Sequence, residues 1–200
     1  KFFAASGVIT LITGIGRHNT EQALARALAG AEPGLVVSCG FAGGLNPDLP
    51  TGAVIFDADP ATDLTARLLA AGARPARFHH VNRIVTSAEE KRQLRQVTGA
   101  DAVEMESQVV RDFCRARGLP SATIRVISDP ADQDLPLDFN RLMTAKAKIS
   151  YLRLAGVLLA SPGKVPALLR LQRQSELAAW NLAGVLTLTL AARPAAASGG

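Results

Sequence analysis

Cysteine, aromatic residues and long apolar runs are all scarce in this sequence. The two cysteines, Cys39 and Cys114, lie far apart and lack metal-ligand spacing, which excludes a disulfide framework and predicts reduced, buried thiols in a cytoplasmic protein. Aromatic residues make up only 4% of the chain, so no basic surface interleaved with aromatics accompanies its net charge of +5. Nucleic-acid binding is therefore not predicted. No apolar run reaches the ~20 residues that a membrane span needs, and no signal peptide is evident.

Acidic residues are absent from residues 141–174, although residues 1–140 contain 16 of them against 14 basic residues. The basic residues of this acid-free segment are Arg141, Lys146, Lys148, Arg153, Lys164, Arg170 and Arg173. Leucine and valine are interleaved with them, so a helix here would be amphipathic and basic. Such helices bind anionic membranes, which makes a peripheral contact at the inner membrane face one hypothesis. The other is an ordinary solvated face of a closing helix.

Strand and helix patterns alternate until about residue 139, which predicts one α/β domain over 1–192 with a helical part at 141–192. Small residues over 193–200 predict a disordered tail. The predicted strands are 8–13, 35–39, 51–56, 102–105 and 122–129, and the predicted helices are 21–29, 61–71 and 107–117. Asn19 or Thr20 is expected to cap the first helix, and Ser87 to cap a helix that begins at Glu89.

The stretch from Asp101 to Asp132 has the most informative pattern. A short apolar strand exposes Glu104 and Glu106, a helix capped by Ser107 follows, and a second strand ends in Ser128-Asp129. A βαβ unit would make the two strands parallel, with both acids at the edge where ligands collect. Glu106 could accept hydrogen bonds from two vicinal hydroxyls, and Asp129 could hold or donate a proton. Capping or loop-solvating acids are the alternative.

Two glycine-rich stretches follow predicted strands, at residues 14–16 and 40–44. Glycine lets a backbone approach a ligand closely, but it also serves tight turns that have no ligand. His79 and His80 are adjacent, so in a strand they face opposite sides and are expected to be structural or surface residues. No metal site and no cofactor are predicted.

Four segments carry a resemblance to a known family: VEMES, RVISDPAD, GIGRHNT and SCGFAGGLNPDLPTGAVI. They resemble the nucleoside phosphorylase/nucleosidase superfamily, most closely the 5'-methylthioadenosine/S-adenosylhomocysteine nucleosidases and their hopanoid-associated relatives. The resemblance implies a three-layer fold with a central mixed, mostly parallel sheet flanked by helices, plus a helical C-terminal segment. It also implies a homodimer or a higher homo-oligomer.

The resemblance implies a role for each matching residue. Asp129 would protonate or hydrogen-bond N7 of a leaving purine, and Glu106 would hold the ribose hydroxyls. The remaining residues implied to bind substrate are Met105, Phe41, Ala42, Gly43, Ser128, Arg125 and Phe139. The family's water-activating glutamate follows an N-terminal strand that matches no position here, so activity is expected to depend on residues upstream of Lys1.

Two departures from the family pattern favour hydrolysis over phosphorolysis. Ser38 stands where hexameric purine phosphorylases have a phosphate-binding arginine, and Phe41 stands where serine or threonine is common. The resemblance thus implies a purine nucleosidase acting on a 5'-substituted adenosine, of the methylthioadenosine, S-adenosylhomocysteine or adenosylhopane type. The alternatives are a purine nucleoside phosphorylase and a non-catalytic nucleoside-binding protein.

Overall fold

The computed structural model of the chain describes residues 7–30, 33–144 and 150–190. The described part is one six-stranded sheet with helices packed against it. The elements, in chain order, are α1 (Arg17–Ala27), β1 (Val36–Gly44), β2 (Val54–Ala58), α2 (Leu64–Ala70), β3 (Arg74–Pro75), β4 (Phe78–His80), α3 (Ala88–Thr98), β5 (Ala102–Glu104), α4 (Ser107–Arg115), β6 (Ser121–Asp129), α5 (Phe139–Leu142), α6 (Tyr151–Ala160), a 3-10 turn (Pro162–Lys164) and α7 (Val165–Leu190).

The strands pair in the order β3-β2-β6-β1-β5-β4. The pairs β1–β6, β2–β3 and β4–β5 are parallel, whereas β1–β5 and β2–β6 are antiparallel. The predicted fold class, a mixed and mostly parallel sheet flanked by helices with a helical C-terminal segment, is confirmed.

The predicted parallel βαβ unit from β5 to β6 is wrong. Strand β1 lies between them and runs parallel to β6 but antiparallel to β5, so β5 and β6 point in opposite directions. The local pattern identified a strand, a helix and a strand correctly. It held no information about a third strand, 60 residues upstream, that separates the two.

The apolar residues 8–13 were predicted to form a strand, and this is wrong for the described structure. They pair with no other described strand, and Ile9 and Ile12 are 92% and 89% exposed. β-Branched residues favour a strand only where a ladder partner and a packing surface exist. Helix α1 begins at Arg17, so Asn19 and Thr20 lie within it and hydrogen-bond the carbonyls of Ile15 and Gly16 instead of capping.

The main core lies between one face of the sheet and the helices α2 and α7. Its sheet residues include Phe56, Ile124 and Val126, and α7 contributes the side chains of Ala178 and Leu182. The predicted burial of the cysteines is only half right. Cys114 is fully buried beside α1, whereas Cys39 is exposed.

The C-terminal helices differ sharply in burial. The second half of α7 is anchored to the sheet and to the turn at Gly52, whose carbonyl accepts a hydrogen bond from Asn181 Nδ2 at 2.9 Å. By contrast, α6 has no buried residue, although nine of its ten residues are apolar or glycine.

Within the described residues, no single helix is long and apolar enough to cross a membrane; α6 and the following helix would meet that criterion only as a pair bent by 109°. Lys146, Lys148 and the predicted tail 193–200 lie outside the described residues.

Candidate active site

Strand β1 pairs with both of the strands that lead to the predicted acids, β5 before Glu106 and β6, which ends at Asp129. Gly43 is the pairing partner of Val103 in β5 and of Asp129 in β6. Glu106 follows Val103 by three residues, which corresponds to about 10 Å of extended chain. The two acids therefore flank the same stretch of β1, although they do not lie at one common strand edge as predicted.

The glycine-rich residues 40–44 form the end of β1 and are not the loop that was predicted. The register shifts between Ala42 and Gly43, so that Ser128 is an extra residue in β6. A Cβ atom at residue 43 would lie 3.4 Å from Asp129 Oδ2 and 3.2 Å from Val103 Cγ1. Glycine therefore keeps this face of β1 bare beside the carboxylate.

Asp129 is buried at the end of β6, and both of its carboxylate oxygens have partners. Ser128 Oγ donates to Oδ1 at 2.6 Å, and Lys91 Nζ donates to Oδ2 at 2.5 Å. Ser128 is thus in direct contact with Asp129, while the substrate-binding role of Ser128 and the catalytic role of Asp129 stay predictions.

Lys91 is a residue that the sequence reading missed. It lies on α3 with no exposed surface and donates to the carbonyls of Pro130 and Gln133 as well as to Asp129. One signal was present in the sequence. Lys91 precedes Leu94 by three residues, so a helix directs both toward the same side, and a lysine on that side must find acceptors.

Glu106 occupies the N-cap position of α4, so the expectation that Ser107 caps this helix is wrong. Its Oε1 accepts a hydrogen bond from Gly16 N at 2.8 Å. Gly16 has a φ of 87°, in the left-handed region that glycine adopts readily. The first glycine-rich stretch, residues 14–16, therefore contacts this acid directly.

Glu104 was predicted to be exposed, and this is wrong, because only 4% of its surface is accessible. Its carboxylate accepts hydrogen bonds from the backbone N–H groups of Glu106 and Ser107, from Ser107 Oγ, and from Arg125 Nη2 at 2.8 Å. Burial raises the pKa of Glu104, but Arg125 and these hydrogen bonds outweigh it, so its pKa lies below the ordinary value.

Arg125 is buried behind the candidate site. Its Nη2 atom donates both to Glu104 and to Ser38 Oγ, at 2.8 and 3.0 Å. Ser38, noted from the sequence as a missing phosphate ligand, thus serves as an acceptor for this arginine. Arg125 Nε has no hydrogen-bond partner within the described structure.

Phe41, Gly43 and Met105 share one face of the sheet. Alternation along β1 places Phe41 on the same side as Gly43, and Met105 follows Val103, whose Cγ1 lies beside Gly43. Phe41 is 47% exposed and Met105 is half-buried. Ala42 faces the opposite side, where it packs with Ile127, so its side chain is not on the Phe41 face.

Phe139 begins α5, and the next residue ties that region to the segment before α3. Asn140 makes two hydrogen bonds of 2.8 Å with the backbone of Ile84, and Leu135 N donates to Thr86 O. Ser87 caps α3 as predicted, by accepting from Glu90 N. Hydrogen bonds therefore join residues 81–87 to residues 130–140, the segment that Lys91 also contacts.

Neither histidine forms a metal site. His80 Nδ1 lies 3.8 Å from Glu104 Oε1, beyond hydrogen-bonding distance, and no group of three metal-ligating side chains occurs among the described residues. A cavity of about 460 Å³ lies at the other end of β6, around Asp57 and Ser121. It is remote from Asp129 and contains none of the predicted site residues.

The chain belongs to the phosphorylase superfamily, whose family model matches residues 4–56 and 54–161. The resemblance to nucleoside phosphorylases and nucleosidases inferred from the sequence is thereby confirmed. Among its relatives is the 5'-methylthioadenosine/S-adenosylhomocysteine nucleosidase of Actinobacillus succinogenes. That protein is 27% identical over 184 residues, an alignment covering 76% of this chain and 80% of the relative.

Two solved structures share the fold. The 5'-methylthioadenosine/S-adenosylhomocysteine nucleosidase of Neisseria meningitidis, in complex with methylthio-immucillin-A, superposes with a TM-score of 0.62 at 20% identity, covering 90% of this chain and 78% of that one. The futalosine hydrolase of Helicobacter pylori gives a TM-score of 0.60 at 19% identity, covering 89% and 76%.

Proposed function

We propose that this protein is a nucleosidase that cleaves the N-glycosidic bond of a purine nucleoside, specifically an adenosine with a substituent at the 5' position. The observation that carries the proposal is the pair of acids on either side of β1, with Asp129 beside the bare face of Gly43 and Glu106 beside Gly16. Membership of the phosphorylase superfamily and the nucleosidase relative support the same chemistry.

In this proposal the two acids act on opposite ends of the nucleoside. Asp129, with Ser128, contacts N7 of the purine and assists the departure of the base. Glu106 accepts hydrogen bonds from the ribose hydroxyls and lies close to the positive charge that develops on the sugar. Fixed negative charge of this kind stabilises an oxocarbenium-like transition state.

Arg125 and Glu104 serve this site from behind in the proposal. Because Glu104 binds the backbone N–H groups of Glu106 and Ser107, it fixes the start of α4 and therefore the direction of the Glu106 side chain. Arg125 balances the charge of Glu104 in the sheet interior. Arg125 thus supports the substrate site through Glu104, and its direct contact with substrate stays a prediction.

The exposed ring of Phe41 favours a substrate with an apolar 5'-substituent. It is half exposed on the same face as Gly43, so a group extending from the ribose could pack on its ring. An alkylthio group fits this description, and so does a polycyclic lipid such as an adenosylhopane. The futalosine hydrolase neighbour shows that this fold also occurs in a hydrolase named for a different nucleoside.

The helix α6 supports contact with an anionic membrane through residues 141–174. Tyr151, Leu152 and Leu159 are each more than 80% exposed, and the basic residues Arg153 and Lys164 are exposed nearby. A helix that is apolar on most sides normally lies in a core or at a membrane. In this proposal the protein is cytoplasmic and takes up a lipid-borne substrate at the membrane surface.

The proposal also includes a homo-oligomer, which the exposed apolar residues Ile9 and Ile12 support.

The test is an assay for free adenine with 5'-methylthioadenosine as the probe, run with and without inorganic phosphate. If the protein is a hydrolase, adenine and a free sugar should form at a rate that does not depend on phosphate. The reason is that two phosphate ligands of phosphorylases, an arginine and a hydroxyl, are missing here, where Ser38 and Phe41 stand instead. A sugar 1-phosphate product would show a phosphorylase. Binding of the nucleoside without any base release would leave a non-catalytic binding protein.

A further inference from the structure

Lys91 is a charged residue at the centre of the candidate site that has no place in the function proposed so far. Its side chain has 0% exposure, and its ammonium group makes three hydrogen bonds, to Asp129 Oδ2, to Pro130 O and to Gln133 O, at 2.5, 2.8 and 3.0 Å. An ammonium has three donors, so every one of them is satisfied.

The neighbours of Lys91 on α3 show that its burial is specific. Glu89 and Arg92 are more than 60% exposed and pair with each other on the outer surface of the helix. Burying an ammonium is costly, and well-packed apolar residues are often as stable as a buried ion pair. Stability alone therefore does not explain a lysine at this position.

The three contacts fix the carboxylate of Asp129 and the backbone that follows it. Lys91 holds Oδ2 while Ser128 Oγ holds Oδ1, so the plane of the carboxylate cannot turn without breaking one of these bonds. The contacts with Pro130 and Gln133 prevent the next turn of the chain from shifting.

We propose that Lys91 is a positioning residue that holds the carboxylate of Asp129 in a single orientation toward the purine. The inference rests on the proposed function, in which Asp129 contacts the leaving base. N7 of the base and the carboxylate are both hydrogen-bond acceptors, so they share one proton, which is taken from solvent and leaves with the base.

The central experiment compares Lys91→Met with Arg92→Met, which removes the same charge from an exposed position of the same helix. With 5'-methylthioadenosine as substrate, Lys91→Met should lower kcat by about tenfold to a hundredfold. The loss should fall on kcat, with KM changed by less than about threefold, because Lys91 orients a group that acts in the transition state and does not itself contact the nucleoside. Arg92→Met should stay within about twofold of the wild type at all pH values.

A double variant separates action through Asp129 from a general loss of structure. In an Asp129→Asn background, Lys91→Met should cost less than about threefold further, because residues that act as a unit are not additive. Lys91→Met alone leaves the buried carboxylate of Asp129 without its partner and could therefore fail to fold. The double variant has no such carboxylate, so its activity can be measured even in that case. A full further loss in that background, or a loss in Lys91→Met that falls mainly on KM, overturns the proposal.

A readout without substrate keeps this inference separate from the proposed function. Carbon-13 labelling of aspartate carboxyl groups, with Asp129 assigned from its absence in Asp129→Asn, reports the environment of this carboxylate by NMR at one fixed pH. The Asp129 signal should shift or broaden in Lys91→Met and stay in place in Arg92→Met. Identical signals in the wild type and in Lys91→Met overturn the role of Lys91. A wild type that shows this coupling yet releases no adenine contradicts only the proposed nucleosidase activity.

Discussion

Glu104 shows how one buried residue controls the geometry of an acid beside it. Its carboxylate binds two backbone N–H groups at the start of α4, a hydroxyl and a guanidinium, and it does not face the candidate ligand. The direction of the Glu106 side chain therefore depends on a residue two positions earlier. Substitutions at Glu104 should affect folding first and activity through Glu106.

We predict that Glu104→Gln lowers the free energy of unfolding by about 3–5 kcal/mol near neutral pH, because it leaves Arg125 buried without its ion-pair partner. The pKa of Glu104 is lower in the folded chain than its ordinary value of 4.5. The stabilisation is therefore fully present above about pH 4.5 and is lost as the pH falls through the folded-state pKa.

Urea unfolding of the wild type and of Glu104→Gln between pH 3 and pH 7 measures this difference. The gap between the two proteins should be constant above about pH 5 and should narrow below it. Glu89→Gln is the control, since Glu89 is exposed and its loss should cost less than about 1 kcal/mol. A gap of the same size at pH 3 and pH 7 would contradict the assignment of a depressed pKa.

The two acids of the candidate site give the corresponding prediction for activity. Asp129→Asn and Glu106→Gln should each lower adenine release by more than about a hundredfold, because each removes charge that acts in the transition state. Circular dichroism should show that both variants remain folded. Asp132→Asn, at an exposed position three residues beyond Asp129, is the matched control. Near-native rates in both site variants would show that the catalytic groups lie elsewhere.

The sequence identified the acids more reliably than the residues that hold them. Asp129 and Glu106 stand out because each follows an apolar strand, which is a local signal. The burial of Glu104 and the inward direction of Lys91 depend on Arg125 and on the turn at Pro130, whose positions follow only from tertiary packing. Local patterns cannot show which charged side chains find partners across the fold.

At the scale of elements, the helix α6 is the least explained part of the described chain. Every other helix of eight or more described residues buries at least one side chain, whereas α6 buries none. The sequence predicted correctly that this part of the chain is helical, but α6 contains a single basic residue, Arg153, and its other nine residues are apolar or glycine. The sequence of one chain encodes its own contacts and not the membrane or protein surface that would cover α6.

We predict that the protein co-sediments with anionic vesicles at low salt and is released as salt shortens the Debye length to about 3 Å near 1 M. Leu152→Glu/Leu159→Glu should weaken vesicle binding by at least about tenfold, because two exposed leucines lose their transfer free energy into the interface. Leu188→Glu, on the exposed side of α7, is the control.

Two outcomes would contradict this prediction. Absence of binding to anionic vesicles at low salt would exclude membrane docking through residues 141–174. Binding that Leu188→Glu weakens as strongly as the α6 variant would place the contact elsewhere. Concentration-dependent sedimentation without lipid that is abolished by Leu152→Glu/Leu159→Glu would instead assign the helix to contacts between copies of this chain.

At the scale of the whole molecule, the order of layers was predictable and the direction of the strands was not. Alternating strand and helix patterns favour a sheet covered by helices. The segments that resemble the superfamily added the prediction that this sheet is mixed and mostly parallel. The position of β1 between β5 and β6 follows from pairing between distant segments, in which the side-chain-free Gly43 and Gly44 allow β5 to approach. Residues 8–13 show the converse, since their strand-forming composition meets no partner strand among the described residues and they form no strand there.

The central position of β1 also determines when during synthesis the site can exist. The contacts that define it join residues far apart in the chain, with separations of 90 residues for Gly16 and Glu106 and 86 for Ala42 and Ser128. Pairings across such distances form slowly, because closing the intervening loop costs entropy before any contact compensates. A nascent chain therefore cannot assemble the candidate site until β6 has left the ribosome and paired with β1. A ligand cannot assist the folding of any shorter piece, and it stabilises only the finished sheet.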